Sequence, residues 1–180
     1  MDSVSFDPIT YVPARRREVI SLLPVFQVMI VRHEKISWGS GYTNHWCLYL
    51  KTSGSTAVMV DCQPSHSIPS TITYRGSKAV LIISELDRLL LPDAIKVIAL
   101  PAKAGLTVKD IIVAFMESGR HRYEFTSDGV GCRKWVFDQI DLLQSLDYIA
   151  SSDECHTARE AILRLWPDGS SLLLDAGVYY

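Results

Sequence analysis

A cysteine at the start of a predicted helix is the residue of this chain best suited to covalent chemistry. Cys132 follows the glycine-containing segment 126–131, and apolar residues at helical spacing come after it. A thiol at a helix N-terminus lies at the positive end of the helix dipole, beside backbone N–H groups with no partner in the helix, and this favours the nucleophilic thiolate. Gly129 and Gly131 allow close approach of a substrate. We interpret Cys132 as a candidate nucleophile, beside the plainer interpretation of a small buried hydrophobe.

A thiol nucleophile requires a base, and His45 has the most suitable setting among the five histidines. It lies at the start of the predicted strand 44–51, which would hold its ring rigidly. A tight turn at 52–55 and a strand at 56–62 complete a hairpin, so the second strand returns beside His45. Asp61 and Gln63 share one face of that strand because side chains alternate along it. We expect Asp61, or else Gln63, to orient His45, and Asn44 on the opposite face to bind backbone.

The same geometry predicts the surroundings of a substrate. The backbone N–H of Cys132 would point to the oxygen of an attacked carbonyl group. Four larger side chains are candidates to flank the substrate, although each also fits packing: Trp46, Tyr123, Arg133 and Trp135. No cofactor is implied. The four cysteines show no Cys-x-x-Cys pair and no zinc-like spacing with histidine, so we predict no metal site.

The elements that must position these residues follow from hydrophobic periodicity. Predicted strands cover 25–32, 44–51, 56–62, 79–84 and 95–100, and predicted helices cover 107–117, 132–145 and 156–166. The pattern Thr107-x-x-Asp110 predicts a capping box at the start of the first of these helices. Segments 33–43 and 63–77 are predicted loops, the latter with a possible short strand at Thr71–Tyr74, and Gly39 marks the first. Residues 14–23 fit a short helix or turn, and 121–125 an extended run. Strands followed by helices predict an α+β fold: an antiparallel sheet with helices packed on one face.

Composition sets the broad class. The chain of 180 residues, with 48% hydrophobic residues, a net charge of −2 and 21% charged residues, predicts one domain spanning 1–180 with an irregular lead-in at 1–13. The charge balance argues against a nucleic-acid partner. The sequence has no apolar run of about 20 residues that could span a membrane and no secretory signal. We therefore expect a cytoplasmic protein with reduced thiols.

Two blocks of sequence carry a resemblance that covers most of the chain. It resembles a family of uncharacterised fungal proteins with an Asn-His-Trp strand and a Gly-x-Gly-Cys-Arg-x-Trp block, here Asn44-His45-Trp46 and Arg122-Tyr-Glu-Phe-Thr126 followed by Gly129-Val-Gly-Cys-Arg-Lys-Trp135. More distantly, a histidine strand that precedes a cysteine helix resembles the circularly permuted papain-like group of the NlpC and lecithin:retinol acyltransferase type. That resemblance implies a permuted papain-like fold and cysteine chemistry on acyl groups. Asp61 or Gln63 stands where that group has a second histidine.

Three functions are compatible with these observations. The first is a cysteine hydrolase or acyltransferase that acts on an amide, ester or thioester in a small-molecule or peptide-like substrate. The second is a binding protein with a structural Cys132, whose apolar tail and four tryptophans form a partner or homo-oligomer surface. The third is a cyclase or isomerase of a biosynthetic pathway, with a cleft shaped by the aromatic residues Trp38, Trp46, Tyr49 and Tyr123. We adopt the first as the working hypothesis.

Overall fold

The computed structural model describes residues 6–38, 41–150, 152–174 and 177–180. Its strands, in chain order, are β1 (Ile9–Val12), β2 (Gln27–Trp38), β3 (Gly41–Lys51), β4 (Ala57–Pro69), β5 (Ser77–Leu86), β6 (Ala94–Pro101), β7 (Tyr123–Phe125) and β8 (Val178–Tyr179). Its α-helices are α1 (Arg17–Leu22), α2 (Val108–Glu117), α3 (Cys132–Ser145) and α4 (Ser152–Ile162), and a 3-10 turn at Ala14–Arg16 precedes α1. The predicted helices and main strands are therefore present, with shifted ends.

The strands form one sheet in the order β6-β2-β3-β4-β5-β7-β8. All neighbours along this order are antiparallel, whereas β1 lies parallel to β5. The predicted α+β class with an antiparallel sheet is thus confirmed, and the parallel edge strand is a correction. Residues 9–12 were assigned to the irregular lead-in because Pro8 and Pro13 discourage a helix, but β5 offers a free edge on which they pair.

The two faces of the sheet are covered differently. The larger core lies on the face that carries the helices, and side chains from α1, α2, α3 and α4 all contribute to it. The other face has a smaller core of Met29, Val31, Cys47, Tyr49 and Ala57, which the β5–β6 connection covers with Leu90 and Leu91. Helices on one face were predicted from the order of strands followed by helices, and the shared core of the four helices agrees with this arrangement.

The helix starts follow local chemistry. Thr107 and Asp110 form the predicted capping box at the start of α2, in which Asp110 accepts the Thr107 backbone N–H at 2.7 Å. Gly119 ends that helix with a positive φ of 72°. The α3 helix begins at Cys132, as predicted, with Gly131 as its N-cap and no side-chain cap. Within the described ranges, no helix combines the length and apolar character needed to cross a membrane.

Two segments predicted as loops contribute to strands. Residues 63–69 of the segment 63–77 belong to β4, and residues 33–38 and 41–43 belong to β2 and β3. β2 and β3 continue to Trp38 and from Gly41, pairing Lys35 with Asn44, so they form a long hairpin whose tip lies where residues 33–43 were expected to be irregular. Gly39 lies outside the described residues, as do residues 1–5 of the lead-in. Gly41 is the first residue of β3, and a glycine alone does not tell a strand end from a whole loop.

The short strand expected at Thr71–Tyr74 is instead a turn held by a buried carboxylate. Glu124, in β7, is fully buried and accepts hydrogen bonds from the Ser70 hydroxyl, from Thr71 N and Oγ1 at 2.7 Å each, from Ile72 N at 3.0 Å and from Thr73 N at 3.3 Å. Burial opposes ionisation, but these donors outweigh it and lower the pKa of Glu124 to about 2. A β-branched segment therefore forms a turn, because Glu124, far along the chain, accepts hydrogen bonds from its N–H groups.

Candidate active site

The candidate site lies where β3 and β4 separate. Their backbone pairing extends from Lys51–Ala57 to Leu48–Val60 and stops there, although both strands continue. His45 and Asp61 lie just beyond the last pair. On the other side of β3, the β2 register shifts between Arg32 and Lys35. Such irregularities re-aim side chains. The cleft at this point takes lining residues from the helix-side core and from the opposite face of the sheet.

Asp61 binds the imidazole of His45 directly. Nε2 of His45 lies 2.8 Å from Oδ1 of Asp61, and the side chain of His45 remains 25% exposed while that of Asp61 is 6% exposed. Burial lowers the pKa of His45, but hydrogen bonds with Asp61, Cys132 and Cys47 outweigh burial, so the pKa lies well above its ordinary value. The structure thus brings together the three residues Cys132, His45 and Asp61 that the sequence singled out.

Asp61 is a buried carboxylate, and both of its oxygens accept hydrogen bonds. Gln63 donates from Nε2 to Oδ2 of Asp61 at 2.5 Å, so Gln63 supports Asp61 and does not replace it. Burial raises the pKa of Asp61, but His45, Gln63 and Cys47 together lower it below its ordinary value. An ionised, fixed carboxylate is what orients a catalytic imidazole and stabilises its cation.

Cys47 is a contact of His45 that the sequence argument missed. Its Sγ lies 3.1 Å from Nε2 of His45, and the residue is 1% exposed. Burial raises the pKa of Cys47 to about 12, so this thiol stays protonated at neutral pH. Because Nε2 of His45 donates to Asp61, the Cys47 thiol donates to the Asp61 carboxylate and helps to lower its pKa. The signal was present, because Cys47 comes two residues after His45 and therefore shares its face of the strand.

The start of α3 places Cys132 at the floor of the cleft. The Cys132 residue is 8% exposed and lines the cleft with His45. The hydroxyl of Tyr123 donates to the carbonyl of Gly131 at 2.9 Å, and a Cβ at Gly131 would lie 2.9 Å from Cδ1 of Phe125. The glycine therefore lets the helix start press against β7. No side chain caps this helix, so its first N–H groups have no capping partner at the N-cap position.

The cleft has a volume of about 450 Å³. Phe125, Gly129 and Val130 line it on the α3 side, and Gln63, Pro64 and His66 line it along β4. The wall formed by β2, β3 and the β5–β6 connection contains His33, Glu34, Lys35, Ile36, Thr43 and Asp93. A cleft of this volume fits a small molecule or a short segment of a larger one.

His33 is a second histidine of the cleft that the sequence argument passed over. Its Nδ1 lies 3.0 Å from Oδ2 of Asp93, its Nε2 lies 3.2 Å from the hydroxyl of Tyr49, and its ring centroid lies 6.0 Å from that of His45. These contacts fix the β5–β6 connection beside the site. His33 was expected at a strand end, and only the extension of β2 to Trp38 places it within a strand that lines the cleft.

His45, Cys47 and Asp61 are also the described residues whose ligand atoms could hold a metal ion, since these atoms lie within 4.8 Å of one another. The separation of 2.8 Å between Nε2 of His45 and Oδ1 of Asp61 is a hydrogen-bond distance. Ligand atoms around a tetrahedral zinc ion are about 3.3 Å apart or more. The arrangement of His45 and Asp61 therefore fits a hydrogen-bonded pair better than two ligands of a zinc ion.

The structure corrects the prediction that large aromatic side chains flank the substrate. Trp46, Tyr123 and Trp135 are fully buried and outside the cleft lining, so they pack the interior. Trp135 meets Phe115 edge-on at 5.5 Å and donates from Nε1 to the carbonyl of Arg120 at 2.9 Å. Tyr49 is fully buried as well, and the side chain of Trp38 lies outside what the structure describes. Large aromatic residues go to the core because they bury the most apolar area.

Arg133 likewise serves the fold. Its guanidinium is fully buried and donates to the carbonyls of Ile162, Leu172 and Leu173 at distances from 2.6 to 3.0 Å. It therefore joins α3 to the end of α4 and to the C-terminal segment. Asn44 also binds backbone, as expected: it donates to the carbonyl of His33 at 3.2 Å and accepts from the N–H of Trp166 at 2.8 Å.

Comparison with known proteins identifies the family of the chain. Neither curated proteins nor solved structures give a significant match. Residues 28–180, which are most of the sequence, match the model of an uncharacterised family described as a domain of unknown function, DUF7770. The chain therefore belongs to the DUF7770 family.

Proposed function

We propose that this protein is a cysteine-dependent hydrolase or acyltransferase acting on an amide, ester or thioester. One observation carries the proposal: His45 lines the same cleft as Cys132 and binds the buried carboxylate of Asp61 through Nε2 at 2.8 Å. A nucleophile, a base and a group that orients the base are the parts of a catalytic triad. Their position at the floor of an open cleft adds access for a substrate.

The first half of the reaction uses both nitrogens of His45. With Nε2 bound to Asp61, Nδ1 is the nitrogen that takes the thiol proton of Cys132, which leaves a thiolate beside an imidazolium. Sγ then attacks the carbonyl carbon of the substrate, a C–S bond forms, and the carbonyl electron pair moves to oxygen. The backbone N–H of Cys132 stabilises that oxyanion. When the carbonyl re-forms, the bond to the leaving group breaks, and the leaving group takes the proton of His45.

The second half releases the acyl group from Cys132. His45 takes a proton from water, or from the hydroxyl or amine of an acceptor, and the deprotonated oxygen or nitrogen attacks the thioester carbon. The C–S bond breaks and the thiolate leaves. Water as acceptor gives hydrolysis, and another acceptor gives acyl transfer. The raised pKa of His45 suits the role of a base, because it favours the ring form that has accepted a proton.

The likeness to the permuted papain-like group is part of the proposal. The histidine strand β3 precedes the cysteine helix α3, and a polar residue on the neighbouring strand β4 orients the histidine. The carboxylate of Asp61 takes the place of a second histidine. We infer from this order that α3 and the β3–β4 hairpin form the catalytic core of a permuted papain-like fold.

Acylation of Cys132 by a small ester tests the proposal without knowledge of the natural substrate. The protein is incubated with p-nitrophenyl acetate, and p-nitrophenol release and intact mass are followed. We expect a burst of p-nitrophenol and a single acetyl group on Cys132. Cys132→Ala should abolish both, whereas Cys155→Ala, which replaces another buried cysteine outside the cleft, should retain both. Iodoacetamide should alkylate Cys132 faster than the other cysteines, and His45→Gln should slow this reaction.

Two outcomes would replace the proposal. If Cys132 is neither acetylated nor alkylated faster than Cys155 in the folded protein, the triad is structural and a binding protein on this fold becomes the better hypothesis. If turnover of a natural substrate survives Cys132→Ser but is lost when the cleft is reshaped at Phe125, the cyclase or isomerase hypothesis is favoured. Circular dichroism of each variant separates these outcomes from unfolding.

A further inference from the structure

The helix-side face of β2 carries a buried cation with no acceptor. Arg32 is 4% exposed, and among the described residues no side chain or carbonyl accepts a hydrogen bond from it; its Nε is fully enclosed. No described carboxylate forms an ion pair with it, and burial alone lowers the pKa of its guanidinium. A buried charge without a partner is costly, so natural proteins rarely keep one without a use.

A second buried donor lies next to Arg32. The ring of Trp46, across the strand pair, lies 5.5 Å from the guanidinium carbon, and the indole Nε1 of Trp46 is also buried with no acceptor among the described residues. Trp166 lies 4.7 Å from the same guanidinium carbon and is 44% exposed. The guanidinium therefore stacks on two indole rings, one of which faces solvent. Stacking accounts for the faces of the guanidinium but leaves its N–H groups, which lie in the plane, without acceptors.

The neighbouring charge is also positive. Lys96 in β6 is directly opposite Arg32 in the register, and Lys96 is exposed. Like charges opposite each other on adjacent strands destabilise a sheet. The nearby acid Asp168 accepts hydrogen bonds from Ser170 and lies 3.8 Å from Lys35, so its charge is already shared. Two cations and two enclosed N–H donors thus occur together, which is the composition of an anion site.

We propose that Arg32, Trp46 and Lys96 form a binding site for a small oxyanion, a carboxylate or phosphate group, which enters beside Trp166. The guanidinium edge matches the two oxygens of either group, and the indole N–H and the ammonium complete the donor set. The site lies on the helix-side face, because Arg32 packs on Trp46 of the larger core and Lys96 is opposite Arg32 in the register. His33 and His45 lie on the other face, where they contact Tyr49 and Cys47 of the smaller core. The site is therefore distinct from the cleft and independent of the proposed catalytic function.

Titration of the full-length protein with inorganic phosphate and with acetate tests the site. Tryptophan fluorescence and thermal unfolding are measured at constant ionic strength against chloride, which controls for screening. We expect a saturable fluorescence change, because Trp46 and Trp166 both stack on Arg32, and a rise in melting temperature that follows ligand saturation. The stronger of the two responses identifies the phosphate or the carboxylate as the preferred form.

Three variants locate the response. Arg32→Lys keeps the charge but removes Nε and the planar edge, and should weaken binding about tenfold or more. Since Arg32 is buried, Lys96→Gln at the surface provides a test that does not strain the core, and it should weaken binding roughly threefold to fivefold. Lys103→Gln, an exposed lysine elsewhere, is the matched control and should bind as the wild type does. A response that fails to saturate, or one that Lys96→Gln and Lys103→Gln change equally, would overturn the proposal.

Discussion

Asp61 and Glu124 are two buried carboxylates on the same sheet, and their partners differ in kind. Asp61 accepts hydrogen bonds from side chains, one of them the titratable ring of His45. Glu124 accepts from backbone N–H groups and hydroxyls of residues 70–73, none of which titrates near neutral pH. Both pKa values are lowered. Glu124, which is fixed mainly to backbone, therefore holds a turn in place, whereas Asp61, which is fixed to an imidazole, can support proton transfer.

The largest effect separating the two carboxylates should be on reaction rate. Asp61→Asn keeps the shape of the residue but removes the charge that holds the imidazole of His45 and stabilises its cation. We expect the rate of Cys132 acetylation by p-nitrophenyl acetate to fall by about 10²- to 10⁴-fold. Asp93→Asn, at the same cleft and paired with His33, is the matched control and should change the rate by less than about tenfold. Equal losses in both variants would contradict the assigned role of Asp61.

The corresponding change at Glu124 should affect stability instead. Glu124→Gln places an amide NH₂ among hydrogen-bond donors, and we expect the free energy of unfolding to fall by about 3 kcal/mol in urea at pH 7. The acetylation rate per folded molecule should stay the same. Glu117→Gln, at the exposed end of α2, should alter neither quantity. A large rate loss in Glu124→Gln with full stability would show that the two carboxylates do not differ as described.

Acid pH should reveal the contribution of Glu124 to stability in the wild-type protein. The folded pKa of Glu124 is lowered from 4.5 to about 2, so its contribution to stability is complete above the unfolded pKa and is lost as pH falls through the folded value. We therefore expect the free energy of unfolding to decrease between pH 4.5 and 2, with a further contribution from Asp61 in the same direction. In Glu124→Gln the slope over this window should be shallower. Parallel slopes in the two proteins would contradict the assignment.

The smallest effect should appear at alkaline pH. The pKa of His45 is raised above 6.5 in the folded protein, so the stability that it contributes is complete below 6.5 and is lost as pH rises through the folded pKa. Urea unfolding from pH 6 to 10 should show this decline, and His45→Gln should remove it. His121→Gln, a histidine outside the cleft, serves as the control. An unchanged decline in His45→Gln would show that another group titrates.

Local patterns were sufficient for the helices and for the central hairpin. The Thr107–Asp110 capping box and the Cys132 start of α3 were read from neighbouring residues, because caps and amphipathic periodicity depend on contacts within a few positions. The β3–β4 turn fixed which residues of β4 return beside His45. This alone was enough to nominate Asp61.

What the sequence missed depends on partners distant along the chain. The turn at 70–73 forms because its N–H groups donate hydrogen bonds to Glu124. Strand β1 forms because β5 has an edge free to pair with it. Arg133 was interpreted as a substrate contact, but its buried guanidinium donates hydrogen bonds to three carbonyl groups more than 25 positions away in the chain. A residue type indicates what a side chain can bind, and the fold decides which partner reaches it.

By itself, the sequence determined the α+β class, the starts of α2 and α3, and the residue types that can act together at Cys132, His45 and Asp61. These follow from periodicity, capping and strand alternation, which act over short distances. Only the tertiary structure decided that β3 and β4 separate beside His45, that Trp46 and Trp135 are buried, and that Nε of Arg32 has no acceptor among the described residues. These features depend on how the sheet twists and what packs on each face, and no short stretch of sequence contains that information.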